Sequence, residues 1–397
     1  LIVIFLGFVG FSLAIPLFPP LILDSESPLI AFAVSREKRM VLLGLLLAMY
    51  PLGQFFGCPV LGRLSDMYGR KPILLISLMG IVPAYMAAAF AIRWGSLPFL
   101  FISRLLSGLF AGNVTIAQAA IADSSTSEAV KARRFGWIVS VSATGFIFGP
   151  LMGGKLASIF TYDTPFWTSA LLSLIACAVV ALCFAESRQR LSDEIPFSEV
   201  WTSIFHGFRV RRLRHIYTAN AFVYGGVFFF LAYFSPHLLI RFGFGSDRLA
   251  ELSAYLSLPI CLTPLLFSLL SKRFSTLEMA RIAAFSLSAS SILFLLPKSS
   301  SALYITLLPA GVATAMVFTY TSLLISEAVK GTRQGHALGV NQSVQVFTEA
   351  VVTAAGGFLA ILGSGAPLLA GALLAFTGGH YLFSSLFKKE NGAKEGE

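Results

Sequence analysis

Long apolar runs alternate with short polar breaks along the whole of this 397-residue chain. The runs extend from Leu1 to about Leu23, Val41 to Leu61, Ile73 to Ile92, Leu97 to Ile121, Phe135 to Phe160 and Pro165 to Phe184. After a longer break they resume at Ile216 to Ile240, Leu249 to Leu270, Ala280 to Leu296, Ala302 to Ile325, His336 to Ile361 and Pro367 to Phe387. As a helix, ~20 apolar residues cross the ~30 Å hydrocarbon core of a bilayer. The pattern therefore predicts an all-α integral membrane protein with twelve transmembrane helices.

The breaks organise these runs. Asp24 to Arg39 is a polar outer loop, Gly62 to Pro72 a tight charged hairpin, and Asp123 to Arg134 a basic inner segment. Glu186 to His215 is the longest polar stretch, and FSEVWTSIFHGF within it has the pattern of a short interfacial amphipathic helix. Domains are expected at 1–185 (an N-terminal six-helix bundle), 186–215 (a cytoplasmic linker), 216–387 (a C-terminal six-helix bundle) and 388–397 (a cytoplasmic tail). Pro16, Pro19 and Pro20 either bend the first helix or end it at FPP. Leu1 falls directly in an apolar run, with neither an initiator Met nor a cleavable signal peptide, so a short cytoplasmic lead is expected ahead of it.

Composition agrees, at 56% apolar and 12% charged, against roughly 25% charged in soluble domains. The net charge of +10 invites a nucleic-acid reading. However, most of the Lys and Arg fall in segments that alternate runs leave on one side, which is the positive-inside asymmetry. A nucleic-acid face would gather them on one soluble surface. Both termini are then cytoplasmic and the location is a bacterial-type inner (plasma) membrane. Cys58, Cys177, Cys183 and Cys261 lie inside apolar runs without metal or disulfide spacing, and the five His are scattered. No metal site, no cofactor beyond a proton gradient and no enzymatic chemistry are expected.

Three motifs narrow the reading. GRLSDMYGRKP (Gly62 to Pro72) resembles the signature hairpin between the second and third helices of the major facilitator superfamily. RLLSGLFAGN (Arg104 to Asn113) resembles that family's fourth-helix motif, whose Arg is linked to proton transfer. GFIFGPLMGG (Gly145 to Gly154) resembles the G-x-x-x-G-P-x-x-G-G motif of its drug:proton antiporters, through Gly145, Gly149, Pro150, Gly153 and Gly154. The resemblance implies two pseudo-symmetric six-helix bundles that alternate access to a central site. An internal repeat agrees with it: SEAVKARRFG (Ser127 to Gly136) and SEAVKGTRQG (Ser326 to Gly335) share seven of ten positions at an offset of 199. SLLSKRFSTL (Ser268 to Leu277) is the degenerate counterpart of the hairpin.

Candidate functional residues follow. Glu349, near the middle of the eleventh run, is an intramembrane carboxylate, and desolvation disfavours its charged form, so it is the proton-coupling candidate. Arg104 is the other deep charge. With Lys155 it would favour an anionic or zwitterionic substrate; alternatively it pairs with backbone carbonyls or with Glu349 for structure. The resemblance makes Gly62, Asp66, Gly69, Arg70, Lys71 and Asp123 a conformational latch, with Asp66 facing the start of the eleventh helix and Arg70 pairing with Asp123. Asn113, Gln118, Asn220, Tyr224, Tyr233, Asn341 and Gln345 are candidates to line a cavity. VYGGVFFFLAYF (Val223 to Phe234) either lines it too or packs among helices and lipid. The expected partners are a small-molecule substrate, protons and the bilayer, with no nucleic acid, for a chain acting as a monomer. Efflux antiport is the leading function. Drug exporters often carry an acid within the first helix, and here only Asp24 at its outer end qualifies. A carrier of a small anionic metabolite or siderophore is therefore the alternative, and a transport-dead sensor or scaffold the third reading.

Overall fold

A computed structural model describes the chain except for residues 25–26, 28, 31–33, 124–127, 187–210, 271–273, 330–333 and 395–397. The described residues form twelve helices and no strand. In order these are α1 (Ile2–Leu23), α2 (Arg36–Tyr68), α3 (Arg70–Arg93), α4 (Leu97–Ile121), α5 (Glu128–Ile159) and α6 (Thr164–Cys183). There follow α7 (Arg211–Phe242), α8 (Ser246–Leu270), α9 (Thr276–Phe294), α10 (Ser300–Ala328), α11 (Gln334–Leu359) and α12 (Ala366–Lys394). Among the described residues, nine helices are long and apolar enough to cross a membrane, and Ala366–Leu382 adds a shorter apolar helix. The expected amphipathic segment FSEVWTSIFHGF lies outside the described residues.

The chain divides into two compact units, Leu1–Val200 with Ser235–Ser257, and Trp201–Phe234 with Leu258–Glu397. Lipid tails are as apolar as leucine, so helices in a bilayer associate through close packing and hydrogen bonds, and small residues set how near they come. In the first unit Gly145, Gly149 and Gly153 carry α5 onto α1. A Cβ at Gly145 would lie 2.7 Å from Phe8 Cβ, one at Gly149 1.9 Å from Ser12 Oγ, and one at Gly153 2.0 Å from the Leu13 carbonyl. Gly154, on another side of α5, meets Ala250 and Ser246 of α8. Gly53 and Gly57 of α2 do the same for α4, where added methyls would lie 2.2 and 1.9 Å from the Leu105 and Leu109 carbonyls.

The structure sharpens several expectations. α1 both bends and continues: a 3-10 turn at Ile15–Leu17 holds Pro16, and Pro19 and Pro20 open the last helical segment, Phe18–Leu23. α4 is interrupted between Leu109 and Asn113. Two carbonyls at that break are satisfied by neighbouring helices, the Phe110 oxygen by Ser77 Oγ at 2.5 Å and the Ala111 oxygen by Cys58 Sγ at 3.4 Å. The charged hairpin shrinks to one residue. α2 runs through Gly62 and Asp66 to Tyr68, and only Gly69, at φ 102°, separates it from α3. Gly62 makes no close approach, because an added Cβ there would have nothing within 4 Å. At the other end, the helix of α12 extends into the stretch expected to be a tail, through Lys394.

Candidate functional site

In the first unit the close approaches of α1 to α5 and α2 to α4 bring aromatic rings around one charge. Arg104, on α4, is 5% exposed. Its guanidinium carbon lies 5.0 Å from the centre of the Phe18 ring and 4.9 Å from that of Tyr50. Such cation–π contact offsets part of the cost of burying a cation. Among the described residues Nη1 is buried with no hydrogen-bond partner, and the phenols of Tyr50 and Tyr85 lie in electrostatic reach. Among the described residues of the first unit no backbone carbonyl accepts from Nη1. Tyr50 meets Phe11 in a tilted contact at 4.6 Å, Phe11 meets Phe146 edge-on at 6.1 Å, and Phe146 lies 5.3 Å from Phe8. These four rings are half-buried. Asn113 is buried against Gly7, Gln118 is half-buried, and Lys155 is exposed.

In the second unit the structure gathers three of the predicted polar residues into one buried relay across α7, α10 and α11. Asn220 Nδ2 donates to Asn341 Oδ1 at 3.0 Å, and Asn341 Nδ2 donates to the Tyr224 hydroxyl at 2.9 Å. Tyr224 lies 2.8 Å from Thr321 Oγ1, which donates to the Val317 carbonyl at 2.6 Å. Thr321 was not legible in the sequence as a member, since one Thr in an apolar helix more often bonds its own backbone. Tyr233 stands apart, donating to the Thr353 carbonyl at 2.6 Å with its ring against Gly356. The phenylalanines beside it pack inside this unit, Phe228 on Phe318 and Phe230 on Phe294. Glu349 sits mid-way along α11, half-buried, and its carboxylate has no hydrogen bond or ion pair among the described residues. Asn341, Gln345 and Glu349 follow at four-residue steps, which places them along one side of the helix.

The hairpin residues form a local cluster in the first unit. Arg70 pairs with Asp66 at 2.8 Å and donates to Ser65 Oγ at 2.6 Å. The side chain of Asp123 lies outside the described residues, as do those of Gly335 and His336. A partner the sequence did not suggest is Glu186, just beyond α6. Its carboxylate accepts from the Arg70 and Lys71 backbone N–H at 2.9 and 3.0 Å, while Lys71 Nζ donates to the Ala181 carbonyl at 3.0 Å. These are orphan donors at a helix N-terminus, where the dipole also favours an anion. The first acid after the sixth apolar run was the only available signal.

Comparison with known proteins places this geometry. The family model described as Major Facilitator Superfamily matches residues 1–353. A class B tetracycline resistance protein of Escherichia coli is 34% identical over 188 residues, which is 47% of this chain and 44% of that protein. A class G tetracycline resistance protein of Vibrio anguillarum is 37% identical over 182 residues, covering 45% of this chain and 43% of the relative. Multidrug resistance protein 1 of Bacillus subtilis (strain 168) is 28% identical over 192 residues, 48% and 45% of the two chains. The match thus spans under half the length of each of these relatives. Among solved structures, the human organic anion transporter MFSD10 (TETRAN) aligns with a TM-score of 0.72 at 20% identity, over 96% of this chain and 97% of that one. A D-xylose-proton symporter aligns at 0.73 and 14% identity, over 96% and 95%. Both show the same all-helical fold.

Proposed function

The chain belongs to the Major Facilitator Superfamily, and we propose that it is a proton-coupled efflux antiporter moving a small molecule across an inner (plasma) membrane. The family is one of transporters rather than enzymes. The observation that carries the coupling is Glu349: a carboxylate half-way along an apolar helix, without an ion-pair partner among the described residues, is costly to keep in a span unless it serves a function such as carrying a proton. Efflux is supported by the G-x-x-x-G-P-x-x-G-G motif, whose glycines pack α5 onto α1, and by the resistance proteins among the relatives. In this reading the bundles 1–185 and 216–387, joined by the linker 186–215, alternate access to a site near the midplane. Asp66, Gly69, Arg70 and Lys71, with Glu186 across the N-terminus of α3, act as the latch between states. The protein works as a monomer with both termini in the cytoplasm.

The test is substrate-driven proton movement in proteoliposomes, over a panel of lipophilic cations and small carboxylates, wild type beside Glu349→Gln. Flux in the wild type and none in a folded Glu349→Gln variant is the expected result. Equal flux in both would remove Glu349 as the coupling group, and flux without proton movement would remove antiport. A second reading, a dedicated carrier of an anionic metabolite or siderophore, is favoured by the buried Arg104 Nη1, which has no hydrogen-bond partner among the described residues. Flux confined to carboxylates would select it.

A further inference from the structure

We propose that the first unit holds a binding site for planar organic anions, with Arg104 receiving a carboxylate or similarly delocalised oxyanion and Phe11, Tyr50 and Phe146 receiving a flat apolar body. The inference rests on the transporter reading above and names the class of substrate for it.

Three observations converge. The first is an unmet demand for acceptors. A guanidinium carries five N–H donors and keeps its proton throughout the accessible pH range. Arg104 is nine-tenths buried or more, yet among the described residues Nη1 has no hydrogen-bond partner. The rings of Phe18 and Tyr50 engage the charge but accept no conventional hydrogen bond from its edge. A planar, two-oxygen anion matches that edge in geometry and charge.

The second is continuity. Tyr50 touches both the guanidinium and the Phe11 ring, and Phe11 leads on to Phe146. These rings are half-buried rather than sealed in the core, so ring surface lies open beside the charge. An aromatic or conjugated body would cover it by offset or edge contact.

The third is sign. Among the described residues of this cluster the rings of Phe8, Phe11, Tyr50 and Phe146 carry no charge, so the fixed charge a ligand meets here is the Arg104 cation, which attracts an anion and repels a second cation. A second buried guanidinium of the same unit is treated differently. Arg39 is just as deeply buried, and there the fold supplies backbone carbonyls to every nitrogen.

The experiment is equilibrium binding to the full chain in nanodiscs, without a gradient, using three probes of one shape: 2-naphthoate, the neutral 2-naphthylmethanol and 2-naphthylmethylammonium. Naphthoate should bind about tenfold or more tighter than the alcohol, and the ammonium more weakly than either. Arg104→Gln should bring naphthoate down to the level of the alcohol, while Tyr50→Leu should weaken both and preserve their ratio. Equal affinity for naphthoate and the alcohol in the wild type, or an undiminished preference in Arg104→Gln, would overturn the proposal. Where Arg104→Gln does not fold, the native protein decides. Naphthoate should slow phenylglyoxal modification of the Arg104 peptide and leave the Arg39 peptide unaffected, and absence of that protection would overturn the site. Because no gradient is present, failure here removes the anion site alone and leaves coupled transport to the proteoliposome measurement.

Discussion

Two arginines in the first unit are buried to nearly the same degree, Arg39 at 3% exposed and Arg104 at 5%, and they are held in opposite ways. Arg39, in the first turn of α2, reaches back under the loop that precedes it. Its Nε donates to the Val34 carbonyl at 3.2 Å, its Nη1 to Ile22 and Asp24 at 3.2 and 2.5 Å, and its Nη2 to Ile30 at 3.4 Å. One side chain thereby ties the end of α1 and the loop to the start of α2. Arg104 has rings on its flank and, among the described residues, no acceptor for Nη1. A buried cation with its donors filled is part of the scaffold, whereas one with donors unfilled costs stability that only a contact outside the scaffold returns. Burial alone does not separate the two roles; the count of acceptors does.

The contrast makes quantitative demands. The largest effect is expected at Arg39. Arg39→Gln strands several carbonyls at once and should lower stability by roughly 3 kcal/mol, read as the midpoint shift of helical circular dichroism during denaturation in detergent. A loss below about 1 kcal/mol would mean water replaces the side chain freely and the loop is not tied by it. Next comes the packing that seats Arg104. Gly53→Ala drives a methyl to 2.2 Å from the Leu105 carbonyl, so α2 and α4 must part. Overpacking of this kind costs about 2 kcal/mol, and it should weaken naphthoate binding as well, because Tyr50 and Arg104 ride on the two helices. A stability loss with unchanged binding would uncouple the site from this helix pair. The smallest effect is expected at Arg104 itself. Arg104→Gln removes a buried charge whose Nη1 makes no hydrogen bond among the described residues, so stability should hold within about 0.5 kcal/mol although the anion preference disappears. A loss comparable to that of Arg39→Gln would make the two arginines alike after all.

Much of this was legible in the sequence because membrane proteins carry strong one-dimensional signals. Run length and loop charge outline the spans, and Glu349 was conspicuous as the carboxylate of the eleventh run. The glycines at 145, 149 and 153 repeat every four residues, one helix face, and that face is the one that meets α1. Other features had no such trace. The hairpin read as an eleven-residue loop from its charges, yet a helix tolerates Asp66 and Arg70 at i,i+4 as a pair, so α2 continues until Gly69 takes a conformation open to glycine. Glu186 caps α3 from 116 residues away. The corresponding start of α9 shows the local alternative: there Ser275 and its own third residue, Glu278, complete a capping box. Capping boxes are visible as a spacing, and a distant cap is not.

Apolar run length, charge asymmetry and short glycine motifs were thus enough to dictate an all-helical, membrane-spanning transporter, since the bilayer forces each span to satisfy its backbone locally and leaves a periodic record of doing so. The environment of each charge was decided only in three dimensions. Arg39 and Arg104 are the same letter in similar apolar surroundings, and whether four carbonyls or a set of rings awaits the guanidinium depends on how α1 bends and how closely α2 approaches α4. Those are packing outcomes spread over several helices, with no single stretch of chain to encode them.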